Sequence, residues 1–277
     1  MNYFYFPLEQ WTNTFVNEWF LPTFSSAFES ISVVLNSFVD FVTSSLLFIP
    51  AELFTLILVI IAWRLGGKGL AFFTLIGMLY LGSVDIWEES MNTLSIVIVS
   101  TFVSLVVGIP VGIFSAMNNK VQAVVRPTLD FMQTLPSFVY LIPAVLLFGL
   151  GGVSAVIATF IFAAPPAVRM TNLGIRHVPK EVIEASKAFG STSKQLLFKV
   201  QLPLAVPSIM AGVNQTIMLS LSMAVIASMI GAPGLGATVL TSISRVNIGL
   251  GLVGGLGIVV LAIILDRITQ GIGQNTK

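Results

Sequence analysis

Side chains that carry out chemistry are scarce in this chain. Its 277 residues include no cysteine and a single histidine, His177. A thiolate nucleophile, a thiolate metal site and a disulfide framework are therefore excluded, and neither another metal site nor a histidine-based triad is expected. No glycine-rich loop continues into Lys and then Ser or Thr, so no phosphate-binding loop is present. The polar chemistry that remains is ion pairing and hydrogen bonding.

Charged residues concentrate in residues 178–207, although only 9% of the chain is charged. This stretch contains Lys180, Glu181, Glu184, Lys187, Lys194 and Lys199. Long uncharged runs lie on both sides of it, so it must lie in water at a membrane surface. Its charges are then available to pair with another protein.

The same stretch contains the signals for two short helices. Pro179 suits the first turn of a helix, and Gly190 stands where a left-handed residue would end it. Thr192 and Gln195 have the spacing of a capping box that starts a second helix. The apolar faces consist of Val182, Ala185, Ser186 and Phe189 on the first helix and Leu196, Leu197 and Val200 on the second.

Two prolines, Pro203 and Pro207, are expected to end the second helix. Residues 178–207 are therefore predicted to form a helix–glycine–helix unit on the membrane surface, with one face free for a partner. We call this unit the elbow.

The spacing of residues within the elbow carries a family resemblance. Glu184-Ala185-Ser186 is followed after three residues by Gly190, and nine residues later by Val200-x-Leu202-Pro203. This resembles the EAA motif of bacterial ABC-importer permeases, which usually reads Glu-Ala-Ala, three residues, Gly, nine residues, Ile-x-Leu-Pro. The departures are Ser186 for Ala and Val200 for Ile, both small changes of shape. The resemblance implies that the elbow docks into a groove on an ATP-hydrolysing subunit through Glu184, Ala185, Ser186, Gly190, Val200, Leu202 and Pro203.

Composition indicates an all-α polytopic membrane protein. The chain is 56% hydrophobic, with a mean hydropathy of +0.97 and a net charge of +1, which gives no indication of a nucleic-acid partner. About 20 apolar residues cross a bilayer. Seven transmembrane helices are predicted, near residues 46–64, 68–84, 92–116, 133–150, 152–174, 204–230 and 249–268. Gly149 to Gly152 is the predicted turn within the uncharged run 131–168.

The distribution of Lys and Arg predicts the orientation. Cytoplasmic loops carry an excess of basic residues. With the N-terminus outside and the C-terminus, including Lys277, inside, every basic residue except Arg245 falls on the cytoplasmic side. This orientation places the elbow in the cytoplasm and the acidic residues near Glu88 outside. The predicted location is the bacterial cell membrane.

The N-terminal segment is predicted to be an amphipathic helix in the membrane interface. Residues 1–45 are rich in aromatic side chains, from Tyr3, Phe4 and Tyr5 to Phe24, and contain no basic residue. Trp and Tyr favour headgroup depth. A scaffold anchor is the preferred interpretation, and a sensor of lipid or ionic strength is the alternative. No signal peptide is predicted, because a basic n-region is lacking.

A glycine-rich segment follows the 204–230 span on the outer side. It contains Gly231, Pro233, Gly234 and Gly236. A tight extracellular turn is the preferred interpretation. The alternative is a re-entrant gate segment that contacts a binding protein, which the family resemblance supports because such permeases commonly have Gly-Leu-Gly there.

The whole chain resembles the permeases of glycine betaine/proline importers. The resemblance rests on residues 133–143 (QTLPSFVYLIP), on Ala164-Pro165-Pro166 and on Arg169-x-Thr171. It implies a type I ABC importer permease core over residues 91–271, a scaffold over 1–90, and osmoprotectant uptake. It also implies a second copy of the chain, two ATP-binding subunits, an extracellular substrate-binding protein and contact with lipid. ATP and Mg would be bound by the partner subunit, and no cofactor by this chain.

Other functions are weighed against this one. A permease for another small solute, such as methionine, is the nearest alternative. An ion-coupled secondary transporter is disfavoured because Glu52 and Asp266 lie near the ends of spans, and no charge is predicted near the middle of one. A membrane scaffold or sensor without transport is the least favoured reading.

Overall fold

The computed structural model describes residues 6–274, and all regular structure in that range is helical. The α-helices are α1 (Leu8–Thr14), α2 (Leu21–Phe48), α3 (Ala51–Ser83), α4 (Trp87–Met117), α5 (Asn119–Thr134), α6 (Leu141–Phe148), α7 (Gly152–Arg176), α8 (Lys180–Ala188), α9 (Ser193–Leu196), α10 (Leu202–Ile226), α11 (Leu235–Ser244) and α12 (Ile248–Gln274). The predicted all-α class is confirmed. Tyr3, Phe4, Tyr5 and Lys277 lie outside the described residues.

Length and apolarity identify the membrane-spanning elements. Six helical segments within the described range are long and apolar enough to cross a membrane, and a bent pair makes seven. The bent pair consists of α5 and the segment Ser137–Phe148, with 108° between them. The bend follows Leu135 and Pro136, which have extended backbone. The helix thus breaks at the start of the predicted 133–150 span, because the residue before a proline disfavours helical backbone.

Helix α3 is a hairpin rather than one straight crossing. Gly67 has φ +78° and ψ −171°, which interrupts the helix in the middle. Thr55 and Met78 line the same cavity, although a straight helix would hold them about 35 Å apart. The two arms, 51–66 and 68–83, therefore lie side by side. They correspond to the predicted spans 46–64 and 68–84.

The N-terminal helix joins the bundle and is one of the six segments long and apolar enough to cross a membrane. Residues Leu8–Phe48 form one helical run of 41 residues, and Ile49 and Pro50 end it. Most of its first part is exposed. Its second part packs against α4, where Thr43 donates a hydrogen bond of 2.7 Å to Ser95. The interface-like sequence therefore continues into a helix held by the bundle.

Helices α4 and α7 pack with their backbones close together. A Cβ atom added at Gly108 would lie 2.9 Å from the Cβ of Ala167. One added at Gly112 would lie 2.7 Å from the carbonyl oxygen of Val168. Small residues allow such approach, and the packing itself supplies the stabilisation because lipid removes the hydrophobic driving force.

Helices α7 and α10 meet in the same way. A Cβ at Gly174 would lie 2.8 Å from the Cβ of Ser208, and one at Gly212 would lie 2.8 Å from the Cβ of Met170. Helices α4, α7 and α10 therefore form one closely packed core. We call this unit the three-helix core.

The predicted glycine turn between two spans is confirmed. Helix α6 ends at Phe148 and α7 begins at Gly152. Between them, Gly149 and Gly151 have φ of +76° and +119°, values that glycine adopts readily. The backbone N–H of Gly151 donates to the carbonyl of Ile230 at 3.0 Å, so this turn is tied to the end of the helical run that contains α10.

The first prediction concerns topology, which the cysteine-free chain allows to be mapped one thiol at a time. Because the arms of α3 lie side by side, Glu52→Cys and Glu88→Cys should both react with an impermeant maleimide outside intact cells. Lys68→Cys and Lys187→Cys should react only after permeabilisation. All four side chains are exposed, so access to solvent is equal. Labelling of Lys187→Cys in intact cells would contradict the orientation.

Candidate functional site

The first helix of the elbow, α8, ends as its glycine predicts. Gly190 has φ +79°. Its N–H donates to the carbonyl of Lys187 at 2.9 Å, and the N–H of Ser191 donates to the carbonyl of Ser186 at 3.2 Å. These two bonds form a Schellman motif, which satisfies the last carbonyls of α8 and turns the chain sharply.

The second helix of the elbow begins at the predicted capping box. The N–H of Gln195 donates to the hydroxyl of Thr192 at 3.3 Å, and the Gln195 side chain accepts from the N–H of Thr192 at 2.9 Å. These paired bonds satisfy two N–H groups at the start of the helix. Only one residue, Ser191, lies between Gly190 and this cap, so the joint has little freedom.

The expectation that prolines end the second helix is wrong. Helical structure is continuous from Ser193 to Ile230 over 38 residues. A π-helical turn, Leu197–Gln201, separates α9 from α10, and Pro203 lies just after it, inside the continuous helical run. Pro207 lies inside α10, and tertiary packing compensates for the backbone bond that it removes. The elbow is therefore continuous with a membrane-spanning helix.

The two elbow helices differ in burial. No residue of α8 is buried, and Val182 and Ala185 of the predicted apolar face are exposed. Phe189, just beyond α8, is 92% exposed. Leu196 and Leu197 are buried, and Leu197 clusters with Ile175 of α7 and Ala205 of α10. The second helix is therefore rooted in the bundle while the first projects from it.

The remaining motif residues follow this division. Glu184 is exposed, and its side-chain carboxylate has no hydrogen bond or ion pair with any of residues 6–274. Ser186 is half-buried and donates to the carbonyl of Val182 at 2.8 Å. Val200 and Leu202 are half-buried, and Pro203 is exposed. The structure thus divides the motif residues between the projecting α8, which carries an unpaired carboxylate, and the helical run that continues into the bundle.

The glycine-rich segment forms a tight turn, residues 231–236, which we call the outer turn. Gly231 is left-handed with φ +81°, and Gly234 has φ +127°. A Cβ at Gly236 would lie 2.4 Å from the carbonyl oxygen of Val225, so close approach requires glycine there. Pro233 is exposed. The turn leads into the short apolar helix α11, which precedes α12.

Thr93 is a contact of the outer turn that sequence reasoning missed. Its hydroxyl accepts a hydrogen bond from the N–H of Leu235 at 2.8 Å, although the two residues are 142 positions apart. A threonine within an apolar span carries no local signal for such a contact. A cavity of about 840 Å³ adjoins this site, and its lining includes Asp85, Glu88 and Glu89.

A polar cleft between α5 and α7 was also not predicted. Arg169 and Asp130 form an ion pair of 2.7 Å between α7 and α5. Asn172 donates to the hydroxyl of Ser115 at 2.9 Å. These residues line a cavity of about 320 Å³. Because both charged side chains are about half exposed, the pair contributes little to stability and mainly fixes α5 against α7.

Asp266 is the acidic residue most embedded among the described spans. Its carboxylate accepts from Asn214 at 3.0 Å and from Gln270 at 2.7 Å, and Arg267 lies 4.0 Å away. Amide donors and a nearby cation thus compensate its charge. The group links α12 to α10.

Comparison with known proteins adds relatives along nearly the whole chain. A glycine betaine transport system permease protein, OpuAB of Bacillus subtilis, is 48% identical over 98% of this chain and 96% of its own length. The glycine betaine/proline betaine transport system permease protein ProW of Escherichia coli is 46% identical over 98% of this chain and 76% of its own. The glycine betaine/carnitine transport permease protein GbuB of Listeria monocytogenes is 46% identical.

The fold has a counterpart among solved structures. A chain of the inward-facing methionine ABC transporter MetNI matches with a TM-score of 0.62 and 23% identity, over 69% of this chain and 96% of that one. Residues 108–277 match the family of the binding-protein-dependent transport system inner membrane component. This span covers the three-helix core from Gly108 onward, the elbow and the outer turn. The chain therefore belongs to the inner membrane components of binding-protein-dependent transport systems, and it is a multi-pass permease subunit of an ABC transporter.

Proposed function

We propose that this chain is the membrane-spanning subunit of an ATP-driven importer of glycine betaine, proline betaine or a related quaternary ammonium zwitterion. The observation that carries the proposal is the elbow, which projects from the bundle with an unpaired Glu184 and an exposed Phe189. The substrate class is supported by relatives whose names specify glycine betaine, proline betaine and carnitine.

The partners follow from the proposal. The elbow docks on a separate ATP-hydrolysing subunit, which binds ATP and Mg, because this chain has no phosphate-binding loop. Two such subunits pair with two copies of this chain, so that each elbow has one partner. An extracellular binding protein delivers the solute to the outer face.

The elbow residues have distinct roles in this proposal. Glu184 pairs with a basic residue of the ATPase, and Ala185 and Ser186 leave room for close docking. Gly190 sets the angle between the elbow helices, while Val200, Leu202 and Pro203 connect the elbow to α10. Since the helix continues from Ser193 to Ile230, a displacement of the elbow reaches the outer turn. That turn, with Gly231, Pro233, Gly234 and Gly236, acts as the outer gate.

A zwitterion suits a pathway with few charges. Moving a net-neutral solute through an apolar bundle avoids the large desolvation penalty of an ion. Selection among solutes then rests mainly on the binding protein. The MetNI-like fold leaves a permease for an amino acid such as methionine as the second candidate, and the transported solute distinguishes the two.

Reconstitution tests the proposal directly. The complete importer in liposomes should accumulate labelled glycine betaine only when ATP and the solute-loaded binding protein are both supplied. Methionine serves as the control solute and should not accumulate. If this chain alone accumulates betaine on a sodium or proton gradient, the assignment is wrong.

Gly190 should be required for transport because its φ is left-handed. A Cβ at Gly190 meets no atom within 4 Å, so Gly190→Ala adds backbone strain of roughly 1–2 kcal/mol without a clash. Gly82→Ala is the matched control, since its Cβ also meets nothing and its φ is ordinary. We expect uptake to fall about five- to thirtyfold for Gly190→Ala and to stay unchanged for Gly82→Ala.

Gly190→Asp adds charge and bulk to the same strain and should be the more severe change. It should still leave membrane insertion intact, because Gly190 lies outside the spans. Wild-type uptake by an assembled Gly190→Asp complex would show that the elbow does not couple ATP hydrolysis to transport.

Phe189 should be the main apolar anchor for the ATPase. Burying a ring that is 92% exposed typically makes a hot spot, so Phe189→Ala should weaken ATPase binding by about 2 kcal/mol, or roughly thirtyfold. Glu184→Ala removes an exposed ion pair worth at most about 1 kcal/mol, so a partial defect is expected. Phe72→Ala, at a ring 66% exposed on α3, is the control. Equal ATPase affinity for Phe189→Ala and Phe72→Ala would rule out this anchor.

A further inference from the structure

The outer turn is held by a side chain of α4. The hydroxyl of Thr93 accepts from the N–H of Leu235 at 2.8 Å and donates to the carbonyl of Glu89 at 2.9 Å. Thr93 is 3% exposed, and Leu235 is fully buried. Leu235 is the first residue of α11, where an N–H has no partner within its own helix. One hydroxyl therefore satisfies a buried donor that would otherwise be unpaired.

The turn is shaped to fit this hydroxyl. A Cβ at Gly234 would lie 2.4 Å from the Thr93 Oγ1 and 3.1 Å from its backbone nitrogen. Gly234 also has φ +127°, which disfavours a side chain. The turn therefore lies directly against the backbone of α4 at Thr93, and few other residue pairs would allow this contact.

Hydrogen bonds tie the outer turn and the residue before it to the bundle. Leu235 donates to Thr93 of α4, and Gly151 donates to Ile230 at the end of the helical run that contains α10. Hydrogen bonds have a narrow range of length and angle, so a small displacement of that run would break them.

We infer that Thr93 is a positioning residue for the outer gate. It holds the outer turn closed against α4 until the helix that runs from the elbow to Ile230 is displaced. The inference rests on the proposed function, because it takes the outer turn as the gate. Thr93 lies outside every motif recognised in the sequence. Its hydroxyl keeps the outer turn closed until the helical run from the elbow is displaced.

Three substitutions separate the hydroxyl from the shape of the side chain. Thr93→Val keeps the shape and removes the bond to Leu235. Thr93→Ser keeps the hydroxyl and should behave as wild type. Thr101→Val, on the same helix, is the matched control, because the buried hydroxyl of Thr101 has no hydrogen-bond partner among residues 6–274.

A single thiol reports the closed state of the turn. The chain has no cysteine, and Ala232 in the turn is 1% exposed, so Ala232→Cys is shielded while the turn is closed. An impermeant maleimide is applied from outside to the assembled complex without ATP. Because the labelling rate follows the open fraction, Thr93→Val should label about tenfold faster than wild type. Thr93→Ser and Thr101→Val should label within about twofold of wild type.

Coupling is the second readout, and it separates gating from local stability. If the hydrogen bond between Leu235 and Thr93 positions the gate, the complex with Thr93→Val hydrolyses more ATP per solute transported, while the complex with Thr93→Ser keeps the wild-type ratio. Equal labelling of Thr93→Val and wild type would overturn the inference, as would faster labelling with an unchanged ATP-to-solute ratio. The labelling arm uses no solute. A complex that transports no betaine but shows the labelling difference would therefore refute the proposed substrate and still support the role of Thr93 in holding the outer turn closed.

Discussion

Close backbone contact between α4, α7 and α10 is the constraint on which the rest of the structure depends. Lipid provides no hydrophobic drive for helices to associate, so packing and hydrogen bonds must hold them together. A Cβ atom added at Gly112 would lie only 2.7 Å from the carbonyl oxygen of Val168, so α4 and α7 approach each other closely there. A Cβ atom added at Gly212 would lie 2.8 Å from the Cβ of Met170, so α7 and α10 are equally close. A core this tight shifts between discrete packings more readily than it deforms.

That core also anchors the second helix of the elbow. The second elbow helix continues without a break into α10, and Leu197 anchors it beside Ile175. The first elbow helix has no buried residue and is fixed to the second by the Schellman motif at Gly190 and the capping box at Thr192. The projecting helix α8 is thus attached to a helical run that reaches the outer turn.

Local rules predicted the elements whose stability is local. The termination of α8 at Gly190, the cap at Thr192 and the turn at Gly149 follow from short-range backbone preferences and hydrogen bonds. The break at Pro136 follows from the same kind of rule, because proline restricts the backbone of the residue before it. The continuation of the helix through Pro203 and Pro207 did not follow from local rules, which disfavour proline inside a helix.

The sequence by itself determined the all-helical membrane class, the elbow and the family, because apolar length and motif spacing act within short stretches of chain. Only the tertiary structure revealed the contact of Thr93 with Leu235 and the ion pair of Arg169 with Asp130. Both join residues from different helices. Which side chains meet across such distances depends on helix rotation and crossing, and no local pattern along the chain encodes either one.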